Sequence, residues 1–137
     1  IYTITQRLTI RFDQVDYARV VYYPRFFELS HQVFEAFFEQ AVGVSYPKML
    51  MDRKVGFPTV HAEADFKRPL KFGDEVDVTL TPVKVGEKSL TCRYDFRLQS
   101  SSEVAATLTV VTVAIDMDSF TGRAMPDDVR AVFQRAG

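Results

Sequence analysis

The sequence predicts an α+β fold: a curved, antiparallel five-stranded sheet wrapped around one long central helix. Three observations carry that expectation. A single long run with helical spacing extends from Pro24 to about Ala41. Five other segments alternate apolar and polar residues with a period of two, the signature of half-buried strands. The last four of these are joined mostly by short connections, and short connections link antiparallel neighbours.

The elements follow in order. Tyr2, Ile4, Leu8, Ile10 and Phe12 point one way and Thr3, Thr5, Arg7, Thr9 and Arg11 the other, as in a strand with one buried face. A loop over 13–23 leads to Pro24, whose fixed φ and missing N–H suit the first helical position. Beyond it Phe26, Phe27, Val33, Phe34, Phe37, Phe38 and Ala41 form one broad apolar face. Glu28, Gln32, Glu35 and Glu39 mark a narrow wet stripe, and Gly43 is the expected stop. So little polar surface demands wide apolar cover, which a curling sheet supplies. Residues 44–58 are mixed, with one helical turn expected over 48–53. From Val60 the period becomes two, with Val60, Ala62, Ala64 and Phe66 expected inward. A Pro/Gly turn over 68–74 precedes Val76, Val78 and Leu80, and Val85-Gly86-Glu87-Lys88 reads as a tight hairpin. Leu90, Cys92, Tyr94, Phe96 and Leu98 face in from the next strand. A serine-rich turn, a last strand over 104–116, a loop and a short capped helix over 127–135 complete the chain.

With 137 residues the chain suits one domain over 1–137, which buries roughly two-thirds of its unfolded surface. The 17 basic and 18 acidic residues balance, so bulk charge gives no support for a nucleic-acid or membrane-surface role. A lone cysteine, Cys92, can form no internal disulfide and fits a reducing, cytoplasmic compartment; it faces inward, as core rather than nucleophile. No apolar run approaches the ~20 residues of a membrane span, and no charged-then-apolar secretion signal opens the chain. No His or Cys cluster has metal-ligand spacing, so neither a metal nor a resident cofactor is expected. There is no Gly-x-Ser-x-Gly elbow either.

The run FDQVDYARVVYYPRFFELSH, residues 12–31, resembles the hotdog-fold acyl-CoA thioesterases of the 4-hydroxybenzoyl-CoA thioesterase family. That family's motif has an Asp, a short loop with small residues, Val-Val-Tyr and a Tyr or His before the helix; Asp16, Val20, Val21, Tyr22 and Tyr23 stand there in this chain. GFPTVHAEADFKRPLKFGDEV, residues 56–76, is similar to the family's second strand, turn and Gly-Asp entry to the third. Lys88-Ser89 resembles the basic hairpin end that meets CoA phosphates. The resemblance implies acyl-CoA, or an acyl group on a carrier protein, as substrate, with CoA part of that substrate. It also implies edge-to-edge homodimers, often paired into homotetramers, with sites shared between subunits. Two departures stand out. Tyr17-Ala18-Arg19 replaces the small residues usual after the Asp, where a Gly would allow φ > 0 at little steric cost. The loop is therefore expected to differ in shape, or Arg19 to reach a CoA phosphate. Where relatives often carry an acid on the helix, this chain has His31.

Thioester hydrolysis needs a carboxylate near the carbonyl and a donor where oxyanion charge develops. Asp16 suits the first role, as general base toward water or as nucleophile through a mixed anhydride. The backbone N–H of Tyr23, at the positive end of the helix, suits the second, because Pro24 has none. Losing one such donor typically raises the barrier by about 2.7–4 kcal/mol. Tyr22, His31, Lys88 and Ser89 are the candidate substrate-binding residues. Plainer readings stand beside these: Asp16 as a turn former, and His31 as a helix-surface partner of Glu28 and Glu35. Two other functions use the same fold, an acyl-thioester dehydratase or hydratase and a non-enzymatic binder of acyl ligands. Thr107, Thr109, Val111, Val113 and Ile115 make an outer face too apolar for full exposure, and open sheets have edges that need cover, so a homo-oligomer is expected.

Overall fold

The computed structural model describes residues 3–136, so the inward placement expected for Tyr2 lies outside the described residues. Strand β1, Ile4–Thr9, opens the fold, and its alternation is realised: Ile4 is buried, Gln6 and Leu8 half-buried, and Thr5, Arg7 and Thr9 exposed. The strand ends three residues sooner than the alternation implies. Phe12 begins a single 3₁₀ turn, Phe12–Gln14, and is 77% exposed rather than inward. It meets Phe72 edge to face at 5.8 Å.

Helix α1, Pro24–Phe37, starts at its proline and buries Phe26, Leu29, Val33, Phe34 and Phe37. Its last turn widens over Phe38–Val42, where the Gly43 N–H reaches back five residues to the Phe38 carbonyl at 2.9 Å. Gly43 ends it in the left-handed region, φ 83°. Ser45 then caps α2, Tyr46–Met51, by accepting from the Lys48 N–H.

Strands β2 (Val55–Gly56), β3 (Thr59–Phe66), β4 (Glu75–Val85), β5 (Ser89–Leu98), β6 (Val104–Val113) and β7 (Ile115–Asp116) follow, and α3, Asp127–Ala136, closes the chain. The main sheet is antiparallel in the order β1-β4-β5-β6-β3, as expected of five strands around a long helix. The single last strand read from the sequence is in fact two. At Ala114 the chain leaves β5, donating to the Lys88 carbonyl at 2.8 Å, and β7 pairs instead with β2.

Cover over this sheet is uneven. The α1 backbone comes nearest β1 and β4, and Val76, Val78, Leu80, Cys92, Tyr94 and Phe96 are buried beneath the helical layer. Outermost β3 pairs only with β6 among the described residues. Val60 falls at a register shift between Thr59 and His61 and is 61% exposed, and Phe66 is 47% exposed, against the expectation that the apolar set of this strand points into the core. Period two carries no information about such a shift, nor about which strand ends up at an edge.

Candidate active site

The loop before α1 is a small hairpin. Gln14 accepts from the Tyr22 N–H at 3.0 Å, Val15 bridges Val21, and the Asp16 N–H donates to the Val20 carbonyl at 3.1 Å. The turn closes with the Arg19 N–H on the Asp16 carbonyl at 2.9 Å and the Ala18 N–H on Asp16 Oδ1 at 2.8 Å. This is the turn-forming bond that Asp side chains favour. It engages one carboxylate oxygen and leaves Oδ2 without a bond among the described residues. Arg19 stands at φ 69°, so the loop keeps the left-handed step suited to glycine although an arginine occupies it. On its other side the hairpin is strapped to the turn after β3. Val20 bridges Lys71, and the Val21 N–H donates to the Leu70 carbonyl at 2.8 Å.

Asp16 is exposed, on the rim of a depression of about 350 Å³ formed with Phe12, Arg19, Lys71 and Phe72. Tyr23 lines a neighbouring depression of about 360 Å³ with Val20, Phe26, Phe66, Lys67 and Leu70. The linings meet where Arg19-Val20 runs beside Leu70-Lys71. The structure thus places Asp16 and Tyr23 on one hairpin, on adjoining hollows.

At the helix start the Arg25 N–H bonds the Tyr22 carbonyl (2.8 Å) and the Phe26 N–H the Tyr23 carbonyl (3.2 Å). Pro24 has no N–H, and the Tyr23 N–H bonds no acceptor among the described residues. An open donor at the positive end of a fourteen-residue helix is a natural place for developing negative charge. Aromatic rings wall it: Phe66 lies 6.4 Å from Tyr23 and 5.0 Å from Phe26. Phe66 and Lys67 had no assigned role in the sequence. Phe66 ends a period-two strand and therefore reads as core, and only the strand's edge position turns it into a wall. Arg68, beside them, is paired with Glu103.

Of the other candidate residues, only Tyr22 shares the hairpin. Tyr22 is exposed, edge to face with Tyr23 at 5.4 Å. His31 sits two turns along α1, with Nε2 4.0 Å from Glu35 and its ring 5.5 Å from Tyr46. It also lines a cavity of about 260 Å³ between the helix and the sheet. Lys88 and Ser89 stand at the far end of the sheet. Phe96, which packs on Phe26 at 5.2 Å, is seven residues along β5 from Ser89, roughly 24 Å of strand. One chain therefore does not bring Lys88 and Ser89 to the Asp16 loop. Cys92 is buried, and burial pushes its thiol well above the usual range, so it is not a thiolate nucleophile. Among the described residues no group of three or more His, Cys, Asp or Glu is placed to hold a metal ion, and no helix is long and apolar enough to cross a membrane.

Comparison with known proteins agrees with this architecture. The sequence profile of the Thioesterase-like superfamily matches residues 10–133. A 1,4-dihydroxy-2-naphthoyl-CoA hydrolase of Nostoc punctiforme is 30% identical over 93% of this chain and 84% of its own length. The protein of the same name from Crocosphaera subtropica is 30% identical over 82% of each. Among solved structures, the 1,4-dihydroxy-2-naphthoyl-CoA thioesterase of Synechocystis superposes with a TM-score of 0.88 at 22% identity, over 97% of this chain and 96% of that one. A gentisyl-coenzyme A thioesterase superposes at 0.83 and 26% identity, over 93% and 99%. The chain belongs to the Thioesterase-like superfamily and is a hotdog-fold thioester hydrolase.

Proposed function

We propose that this protein hydrolyses aromatic acyl-CoA thioesters, with Asp16 as the reacting carboxylate and the Tyr23 N–H as oxyanion donor. The observation that carries the reading is the unbonded Tyr23 amide at the start of α1, with the half-committed Asp16 carboxylate on the same hairpin. A thioester laid across the Val20–Lys71 bridge would offer its carbonyl oxygen to the amide. Its carbonyl carbon would then face Asp16 Oδ2, or a water held there. Attack by that water, with its proton passing to Asp16, gives the tetrahedral intermediate; direct attack by Asp16 gives a mixed anhydride that water then opens. Either route ends in free acid and CoA thiol, with no resident cofactor. The aromatic lining and the named substrates of the relatives favour an aryl group over a saturated chain.

Edge pairing belongs to the same proposal. Strand β3 has eight residues and no partner on its outer side among the described residues. Antiparallel pairing of two such edges in a homodimer would set the Tyr23 end of one protomer beside the His31 end of its partner. Two dimers would make a homotetramer, in which Tyr22, His31, Lys88 and Ser89 come to the substrate from more than one subunit. We place the enzyme in the cytoplasm, acting on CoA esters or on acyl-carrier protein.

The test is thiol release from aryl, short-chain and long-chain acyl-CoAs by the wild type and Asp16→Asn. Aryl-CoA turnover that collapses in the variant is expected. Turnover retained by Asp16→Asn refutes the assignment.

A further inference from the structure

A further hollow opens on the far side of His31. The last strand leaves the main sheet at Ala114 to pair with β2, and Gly56 stands opposite Ile115 in that two-stranded ribbon. Between the ribbon and α2 lies a depression of about 350 Å³, lined by Tyr46, Leu50, Gly56, Phe57, Met117 and Phe120. His31 and Thr59 line it as well, and both also line the cavity of about 260 Å³ between the helix and the sheet. The imidazole sits 6.0 Å from Phe34, a wall of the inner cavity, and 5.5 Å from Tyr46, a wall of the outer hollow. The two spaces are neighbours across one half-exposed ring.

Two features keep the outer hollow open. Gly56 has no side chain, and a Cβ there would stand 2.5 Å from Met117 Sδ and 3.4 Å from Ile115 Cγ1. Any larger residue would drive the thioether, itself a lining group, out of its place. Phe120 is 70% exposed and held in the left-handed region at φ 54°, which a residue with a side chain adopts only under constraint. Backbone bonds supply the constraint: the Phe120 N–H donates to the Asp116 carbonyl at 2.7 Å, and the Asp116 N–H to the Thr121 carbonyl at 2.8 Å. Among the described residues that line the hollow there is no Asp, Glu, Lys or Arg, so what fits it is uncharged and apolar.

We propose that this hollow receives the end of the acyl group remote from the thioester, so that the enzyme accepts acyl groups carrying a second apolar unit, such as another ring, beyond the first. The first ring fits the inner cavity, which at about 260 Å³ exceeds the ~150 Å³ of a cavity known to hold one benzene. The second unit passes over the sill of His31 and Thr59 into the outer hollow. A unit attached at a different ring position meets the buried walls of Tyr94 and Val110 instead. Gly56 and Phe120 are then specificity-determining residues, the first by the space it leaves and the second by the wall it adds. This inference rests on the aryl-CoA reading for the identity of the ligand, but its test needs no turnover.

Two free acids serve as probes, biphenyl-4-carboxylic acid and biphenyl-2-carboxylic acid. They share one composition, but only the 4-isomer carries its second ring straight away from the carboxylate. Titrated calorimetrically, the wild type is expected to bind the 4-isomer about tenfold tighter, the lower end of what burying a phenyl-sized group contributes. Phe120→Ala, and Gly56→Ala, which displaces Met117 within the hollow, should each bring that ratio to within about threefold, because less of the second ring is buried. The Phe120 side chain is exposed, so the first variant tests the idea even where the second fails to fold. Equal binding of the two isomers by the wild type, or an unchanged ratio in Phe120→Ala, overturns the proposal. Equal binding together with a lower mass of Phe120→Ala by light scattering overturns it too, and gives the hollow to a second copy of the chain. An enzyme silent toward every acyl-CoA but selective in this titration would sink the hydrolase reading alone.

Discussion

The two ends of α1 are built in opposite ways. At its C-terminal end Phe37 stacks on Phe133 at 4.4 Å, and Phe38 packs against Tyr46, Phe57 and Phe133 within 6 Å. The left-handed step that ends that turn is given to Gly43, which adopts it freely. At the N-terminal end Tyr22 and Tyr23 are exposed, an amide is left unbonded, and the left-handed step just before it falls to Arg19. An L residue bearing a side chain in that region costs about 1–2 kcal/mol. One end is closed for stability, whereas the other keeps open groups and strain where a substrate would dock. Strain held next to unbonded polar groups is characteristic of sites that act on something else.

Substitutions at each end should separate the two designs. The largest effect is expected at the open end. Asp16→Asn should lower aryl-CoA hydrolysis at least about 100-fold, the lower range for a positioned acid–base group, with Tm unchanged because Asn preserves the turn bond to Ala18. At the closed end Phe133→Ala should cost about 3–5 kcal/mol by chemical denaturation. Its folded fraction should hydrolyse normally; a catalytic defect there would mean that the two ends are coupled. Smaller effects come from the two left-handed steps. Gly43→Ala should cost about 1 kcal/mol from the backbone alone, since an added Cβ there meets nothing within 4 Å. Arg19→Gly should instead gain up to about 1 kcal/mol, the relieved strain less the entropy of a new glycine. A loss in Arg19→Gly would show that the guanidinium makes stabilising contacts.

The smallest effect concerns the cover of the closed end. Arg53 donates to both carboxylate oxygens of Asp128 at 2.8 Å, tying the segment after α2 to the start of α3, and so holds that carboxyl below the usual range. Its contribution is present at neutral pH, fully so above the unfolded value near 3.9. It fades as pH falls through the lower folded value. Because the pair is solvent-exposed, it is worth only a few tenths of a kcal/mol. Asp128→Asn should flatten the acid limb of a plot of Tm against pH by that amount and leave the neutral plateau nearly level.

Much of this was legible before any coordinates. Pro24, the phenylalanine spacing and Gly43 set the helix and its limits, and period two set the faces of β4, β5 and β6. Those are local signals, written in consecutive residues. What could not be read was long-range. The exposure of Phe66 depends on which strand lies outermost, and the division of the last strand depends on β2 competing for its end. At the site, Asp16 was marked by the family resemblance and Tyr23 by its place at the helix start, and the structure sets both at the hairpin that leads into α1. The distance of Lys88 and Ser89 from that hairpin follows from strand register, which no motif reveals. Gly56 gave no signal of its own, because a glycine before Phe57-Pro58 reads as part of a break until Met117 is found lying against it.

The strap from Val20 and Val21 to Leu70 and Lys71 has one more consequence. It makes the turn of residues 68–74 a structural wall of a hairpin some fifty positions earlier in the chain. Gly73 reinforces this by donating to the Ile10 carbonyl at 2.9 Å, so the same turn also braces the end of β1. Lengthening that distant turn by even one residue should therefore act as an active-site lesion, although it removes no reacting group.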